Sequence, residues 1–462
     1  MSGTTTEEFD PLDLSDRLFS GELSTHDRHP VARLTNLLAE VADRTAWVES
    51  LANVTVFSTD DGLCVVDTGG LYVAPVVHER VRDWTHDRFD TAIYTHGHVD
   101  HVMGTEVFEA WNEAEGQPRG RVVGHEAVGG RFDRYLLTLG YNSAINRRQF
   151  QAELDWPSSY RYPDTTYRDR LDVTVGGERF ELHHARGETD DHTWVWAPGR
   201  RVLCTGDLFI WAVPNAGNPQ KVQRYAGEWA VALREMAALG AELLLPGHGL
   251  PIAGADRVRG VLDDTATLLE SLERQTLEMM NAGATLDDII HSVAAPASLA
   301  GRPYLQPVYD EPEFIVRNIW RLYGGWYDGD PSHLKPASDA ALASEVAALC
   351  GGAETLARRA AELSEAGDDR LACHLVEPAG RRRADRRRGA RAPAATSTPV
   401  ASSGRRPPWP RACSTRRPPT PSGPSSADPS RSLDLWTGSG TAEVQRSSVV
   451  VVDEPAWGMM GA

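Results

Sequence analysis

Three imidazoles and a carboxylate fall within six residues in the stretch Thr95-His96-Gly97-His98-Val99-Asp100-His101. Nitrogen and carboxylate donors packed this densely suit a borderline divalent metal. The spacing divides them between two cations: His96 and His98 face one, Asp100 and His101 the other. A second cluster, Gly187-Glu188-Thr189-Asp190-Asp191-His192, offers a third ligand for the first cation. His192 is the expected ligand, with Glu188 competing for the place. Asp190 and Asp191 read as solvated or supporting groups. Asp207, in Cys204-Thr205-Gly206-Asp207, is expected to bridge the two cations; its alternative role is a helix cap. His248, in Pro246-Gly247-His248-Gly249, completes the second site, and its flanking glycines let the chain turn closely around a ligand. Asp67, in Val66-Asp67-Thr68-Gly69-Gly70, reads as a carboxylate that orients a ligand. The other histidines, such as His125, His183 and His184, read as surface or packed residues.

Two cations held in this way lower the pKa of a water between them and stabilise charge developing on a substrate oxygen. The chemistry expected is therefore hydrolysis, with Asp100 and Asp207 as the candidate catalytic carboxylates. No Ser-His-Asp or Cys-His nucleophile motif competes with it.

Ligands of this kind must be delivered by strand ends. Val54–Ser58 and Leu63–Asp67 read as paired strands about the turn Asp60-Asp61-Gly62. Thr91–Tyr94 is a short apolar strand running straight into the histidine motif, and Arg121–Gly124 is another. Strand signals return at Leu171–Val175, Phe180–His184, Thr193–Ala197, Val202–Thr205 and Leu243–Leu245. Helical spacing predicts Val76–Thr85, Val107–Ala114 and Gly227–Leu239, and a helix near Pro30–Ala46. Residues 130–170, rich in Tyr and Arg, read as a long irregular loop. The alternation suggests a sheet sandwich covered by helices. From about Asp256 the period becomes helical, through Val258, Leu262, Thr265, Leu268, Leu269 and Leu272, and helices continue to about Val376. Gly351-Gly352 and Ala366-Gly367 break that stretch into short antiparallel pieces.

With these four strand ends in this order, the chain resembles the metallo-β-lactamase superfamily over roughly residues 45–255. The resemblance implies an α/β fold, an αββα sandwich, and two zinc ions. A second resemblance rests on Asn318-Ile319-Trp320-Arg321-Leu322-Tyr323-Gly324-Gly325-Trp326-Tyr327-Asp328-Gly329-Asp330-Pro331, which is similar to the signature of the alkyl sulfatase dimerisation domain. It implies an all-helical domain that builds a homodimer, and a sulfuric ester with an apolar chain as substrate. That family commonly uses glutamates where this chain has His192 and Asp207. Its sulfate-gripping arginine has no clean match; Lys221 and Arg224 are the nearest cations. Tyr141 and Asn142, in the aromatic and arginine-rich stretch 134–150, are the candidates for a substrate wall. The alternatives are a hydrolase of another ester class, such as a lactone, thioester or phosphoester, and a non-catalytic dimeric protein stabilised by its metal.

Four segments follow from this reading: a polar lead-in over 1–44, the catalytic domain over 45–255, the helical domain over 256–378, and a low-complexity tail over 379–462. The tail is rich in Arg, Pro and Ser, with too little apolar surface to offset its chain entropy, so it is expected to be disordered. The helical pattern breaks off in mid-helix near His374–Glu377, which is also what a shifted reading frame would leave. Net charge is −18. Residues 381–462 hold 14 arginines and 6 acidic residues, a balance of +8, which leaves −26 on the rest. So acidic a body argues against nucleic acid as a partner. No apolar run approaches the roughly 18 residues of a membrane span. Cys64, Cys204, Cys350, Cys373 and Cys413 are odd in number and contain no CxxC pair, as in a reduced protein. Met1–Arg17 lacks the basic start and apolar core of a signal peptide, so a cytoplasmic location is expected.

Overall fold

The structure is a computed structural model that describes residues 10–25, 31, 33–151 and 153–376. The expected tail over 379–462 lies outside the described residues. The first sheet has seven strands in chain order: β1 (Leu38–Ala42), β2 (Thr45–Val48), β3 (Val54–Thr59), β4 (Gly62–Val66), β5 (Phe89–Ile93), β6 (Arg121–His125) and β7 (Thr165–Tyr167). Its first four strands pair antiparallel and its last four run parallel. The second sheet has six strands: β8 (Arg170–Val175), β9 (Glu178–His184), β10 (Thr193–Ala197), β11 (Val202–Gly206), β12 (Leu243–Pro246) and β13 (Ile252–Ala253). They lie side by side in the order β13-β12-β11-β10-β9-β8, with only β11 and β12 parallel.

Alternation along the strands builds the layers, because successive side chains point to opposite faces. In β3, Phe57 joins the core between the sheets, where it meets Phe180 at 5.1 Å. Its neighbours Val54 and Val56 join a second core on the outer face. That outer core is closed by α2 (Ala74–Trp84), the short α3 (Val99–Val102), α4 (Thr105–Ala114) and α5 (Ala127–Leu137), through Val77, Val81, Val102, Phe108, Val128 and Phe132. Helix α6 (Leu139–Phe150) follows α5. The second sheet is covered by α7 (Ala226–Ala238) and the 27-residue α8 (Ala255–Asn281), whose apolar stripes share the inter-sheet core. The architecture is thus an αββα sandwich followed by helices.

Beyond α8 come α9 (Leu286–Ser292), α10 (Pro312–Gly324), α11 (Pro331–Leu334), α12 (Asp339–Leu349) and α13 (Ala353–Glu365). Ile289, Ile315, Val316 and Ile319 pack into the same core as α8. The first helix of the chain, α1 (Pro11–Ser20), is capped by Asp10, whose carboxylate accepts from the Leu12 and Asp13 amides.

Two sequence expectations are corrected. No helix forms at Pro30–Ala46 among the described residues. Leu34, Leu38 and Val41 mimic helical spacing, but Leu38 pairs with Val48 across a turn at Asp43-Arg44. An open sheet edge overrode a weak propensity. Residues 130–170 are not one irregular loop: they contain most of α5, all of α6 and β7. The pattern was hidden because a charged side chain, Arg131, is on the buried face of α5.

Candidate metal centre

Ends of β4, β5, β11 and β12, with the loop entering β10, meet at one rim of the sandwich. Ligand atoms of His96, His98, Glu188 and Asp207 lie within 4.8 Å of one another, and so do those of Asp100, His101 and His248. In the first group His96 Nε2 and His98 Nδ1 are 2.7 Å apart, and Glu188 Oε2 stands 3.5 and 3.4 Å from them. In the second, His248 Nε2 is 3.5 Å from Asp100 Oδ2, and His101 Nε2 is 3.9 Å from the same oxygen. Asp207, a member of the first group, also borders the second. Its Oδ1 lies 3.3 Å from His101 Nε2, and its Oδ2 lies 3.4 Å from His248 Nε2 and 3.8 Å from His96 Nε2.

This donor set fits cations. His101 Nε2, Glu188 Oε2 and Asp207 Oδ1 are buried without a hydrogen-bond partner, a costly state unless something else satisfies them. The backbone also leaves room: a Cβ on Gly247 would run into Asp207 Oδ1.

Charge is distributed unevenly between the groups. Burial disfavours the His248 imidazolium, but Asp207 and Asp100 outweigh it and push its pKa up to about 10. His101 is likewise raised against burial by Asp207, Asp67 and Asp100. His96 goes the other way: burial, then the neighbouring His101 and His98, hold it well below the ordinary histidine value. Against burial, Asp207 is held low by His248 and His101, and Glu188 by Arg224 and His98.

Around the ligands are groups that fix them. Asp67, at φ +56°, accepts from the Thr95 amide (2.8 Å) and hydroxyl (2.7 Å) and pairs with His101 Nδ1 (2.7 Å). Asp191 is fully buried, and its Oδ2 accepts from the Gly97 amide and from Arg131 Nε, both at 2.9 Å. Asn53, immediately before β3, grips the turn that carries His248: its amide donates to Gly247 O (2.7 Å), and its Nδ2 to Pro246 O (3.1 Å) and Gly249 O (2.7 Å). Glu188 Oε1 accepts from Asn215 Nδ2 and, at 2.9 Å, from Arg224 Nη1.

Of the expected ligands, His96, His98, Asp100, His101, Asp207 and His248 are brought together. The seventh, His192, is not among this group; Glu188, the competitor for its place, is. Glu188, not His192, faces His96 and His98. His192 stacks on the His96 ring at 4.5 Å, and its Nε2 lies 3.3 Å from Thr205 O. Arg224 is 1% exposed and holds Glu188, so it is spent inside the protein. Lys221 Nζ donates to Asn146 Oδ1 (3.1 Å), and burial, then Arg224, lowers its pKa. Tyr141 is 62% exposed, and the Asn142 amide donates to Thr138 Oγ1 within the α5–α6 turn. Neither shares a hydrogen bond with a ligand side chain among the described residues. Sequence reasoning missed Asn53, Arg131 and Asn215. Of the supporting groups, Asp67 and Asp191, the latter within the second cluster, carried a local signal.

Comparison with known proteins places this geometry. Residues 47–248 match the model of the metallo-beta-lactamase superfamily, and residues 285–409 that of alkyl sulfatase dimerisation. The chain therefore combines a metallo-beta-lactamase domain with an alkyl sulfatase dimerisation domain. It is 29% identical over 336 residues to a linear primary-alkylsulfatase of a Pseudomonas species, covering 68% of this chain and 64% of that protein. It is 26% identical over 382 residues to an (R)-specific secondary-alkylsulfatase, also from Pseudomonas, covering 74% and 57%. An alkyl/aryl-sulfatase of Saccharomyces cerevisiae is 24% identical over 368 residues, covering 73% and 57%. The chain thus spans less than two thirds of the length of these relatives. The solved structure of a stereoselective inverting sec-alkylsulfatase from Pseudomonas superposes with a TM-score of 0.65 at 23% identity, covering 74% of this chain and 58% of that one, which is a shared fold.

Proposed function

We propose that the chain hydrolyses alkyl sulfate esters at a centre of two zinc ions. The observation that carries this reading is the pair of ligand groups that meet at Asp207, with buried donor atoms that no protein group satisfies. His96, His98 and Glu188 would hold one ion, and Asp100, His101 and His248 the other, with Asp207 between them. Mixed imidazole and carboxylate donors are those zinc takes in hydrolytic sites. When bound, such ions activate a water and polarise the ester oxygen.

The protein's own part is orientation and charge. Asp207 stands between the two groups, its Oδ1 beside His101 and its Oδ2 between His248 and His96. Asp100, with 26% of its side chain exposed, is the most open carboxylate of the centre and the one an arriving water or ester meets first. Lys221 is assigned to the sulfate head: it forms no ion pair among the described residues, and Asn146 leaves its charge uncancelled. The alkyl chain rests on the names of the relatives. A homodimer through the helical domain is supported by the dimerisation match and by exposed apolar side chains there, Tyr323, Trp326, Leu342 and Leu349. Among the described residues no helix is long and apolar enough to cross a membrane.

The test is sulfate release from dodecyl sulfate by purified protein, with zinc measured on the same sample. Two zinc ions per chain and chelator-sensitive release are expected. Two zinc ions without release would reject the sulfate ester and direct the search to lactones, thioesters and phosphoesters. Absence of both would reject the hydrolase.

A further inference from the structure

Glu188 belongs to the sandwich, but what holds it is anchored elsewhere. Between β11 and α7 the chain runs from Val213 to Arg224 without regular structure, and Asn215 and Arg224 on that segment grip the carboxylate. Arg224 also donates to the Glu188 carbonyl. A segment with no ladder of its own needs its shape imposed. Here α10 and the chain leading into it impose it. The Val213 amide donates to Gln306 O (3.1 Å). The Gly217 amide donates to Asp310 Oδ2 (2.5 Å), and a Cβ on Gly217 would collide with the backbone of Phe314 and Ile315. At the far end, Asn318 Nδ2 donates to Arg224 O (2.9 Å). Gln223 Nε2 donates to Asn318 O (3.1 Å), while Arg321 donates to Gln223 Oε1 (2.9 Å) and to Asn318 Oδ1 (2.8 Å). Asp310 and Asn318 are 1% and 5% exposed. His101 and the His248 turn, by contrast, take their supports from Asp67 and Asn53, both inside the sandwich.

We propose that Asp310 and Asn318 are positioning residues that set the geometry of Glu188, and so the cation affinity of the first ligand group, while leaving the second group alone. The helical domain then completes the metal centre as well as pairing chains. This rests on the metal reading above. Buried hydrogen-bond networks rigidify the groups they hold, and loss of an outer partner weakens a metal site by about 10–100-fold.

The experiment is calorimetric titration of the metal-free, full-length protein with zinc. In Asn318→Ala and Asp310→Ala, one of two equivalents weakens by about 10–100-fold and the other is unchanged. Asp310→Asn keeps a carbonyl oxygen for the Gly217 amide and weakens zinc less than Asp310→Ala. Assignment comes from single-site backgrounds: Asn318→Ala weakens the zinc that remains in His248→Ala, but not the one that remains in His98→Ala. Circular dichroism and sedimentation report fold and oligomeric state. If Asn318→Ala fails to fold, Gln223→Ala, at a half-buried link of the same chain, carries the test in the same direction. Unchanged affinity in the variants, or equal weakening of both equivalents, overturns the proposal. A wild-type protein that binds no zinc overturns the metal reading instead, and the two failures are distinct.

Discussion

The two ligand groups are built in different ways. Asp100 and His101 come from one turn of chain after β5, and Asp67, at the end of the neighbouring strand, steadies His101. His248 follows β12 of the other sheet and its turn is held by Asn53. The first group takes Glu188 from a loop, and the contacts that fix that carboxylate come from residues 27 and 36 positions further on, Asn215 and Arg224. Behind them stands α10, a further 94 residues along. One half of the centre is carried and steadied by strand ends of the sandwich itself, even where, as for Asn53 and the His248 turn, they lie far apart in the chain; the other depends on a loop packed against the helical domain. Their electrostatics differ in the same sense: carboxylates raise His101 and His248, while burial and neighbouring imidazoles lower His96.

The sharpest way to break this comparison is Asp207→Ala, since that carboxylate stands between the two halves. Zinc should fall well below one equivalent, and hydrolysis of dodecyl sulfate should drop beyond the roughly 100-fold that outer contacts command. One tightly held zinc would mean that the halves do not share it. Next in size is Glu188→Gln. It leaves the Arg224 charge buried without its partner, at a cost of about 3–5 kcal/mol in urea denaturation, and it removes one zinc. His192→Ala should keep both zincs, and the opposite pattern in this pair would restore His192 as the ligand. Asp67→Asn should weaken zinc in the second group by about 10–100-fold and leave the first as it was, read by competition with a chromophoric chelator.

A pH effect sharpens the contrast. Burial raises the Asp310 carboxyl to about 7 against the pull of the Gly217 and Glu311 amides. A carboxyl raised on folding contributes stability below its unfolded pKa, about 3.9, and loses it as pH rises through 7. Wild type should therefore weaken between pH 5 and pH 8 relative to Asp310→Asn, by on the order of 1–3 kcal/mol in parallel denaturation curves. A constant difference between the two would count against a neutral Asp310. The smallest effect belongs to Tyr141→Ala: at an exposed position it should shift stability by less than about 0.5 kcal/mol and leave both zincs in place.

What could be read in the sequence follows the same division. His96, His98, Asp100 and His101 are adjacent in the chain, and Asp207 and His248 follow apolar strands directly, so motif and position coincide. The sandwich was legible for the same reason, since period-two strands such as β3 announce their two faces. Glu188 and His192 could not be separated, because both lie in one polar loop, and the groups that hold Glu188 beside His96 and His98, Asn215 and Arg224, are distant in the chain. Arg224 itself read as a substrate cation, since burial of a guanidinium against a distant carboxylate leaves no local trace. The helix expected at Pro30–Ala46 failed because its periodicity was real but an open sheet edge was the stronger partner.

Asn53 gives the sandwich a latch. It immediately precedes the third strand of one sheet and grips, by three hydrogen bonds, the turn that leaves the fifth strand of the other. The sheets cannot breathe apart at this rim without tearing out the turn that carries His248. Exchange of the Asn53 amide hydrogen, bound to Gly247 O, with solvent deuterium would therefore serve as a clock for the centre, reporting how often the two halves of the molecule let go of each other.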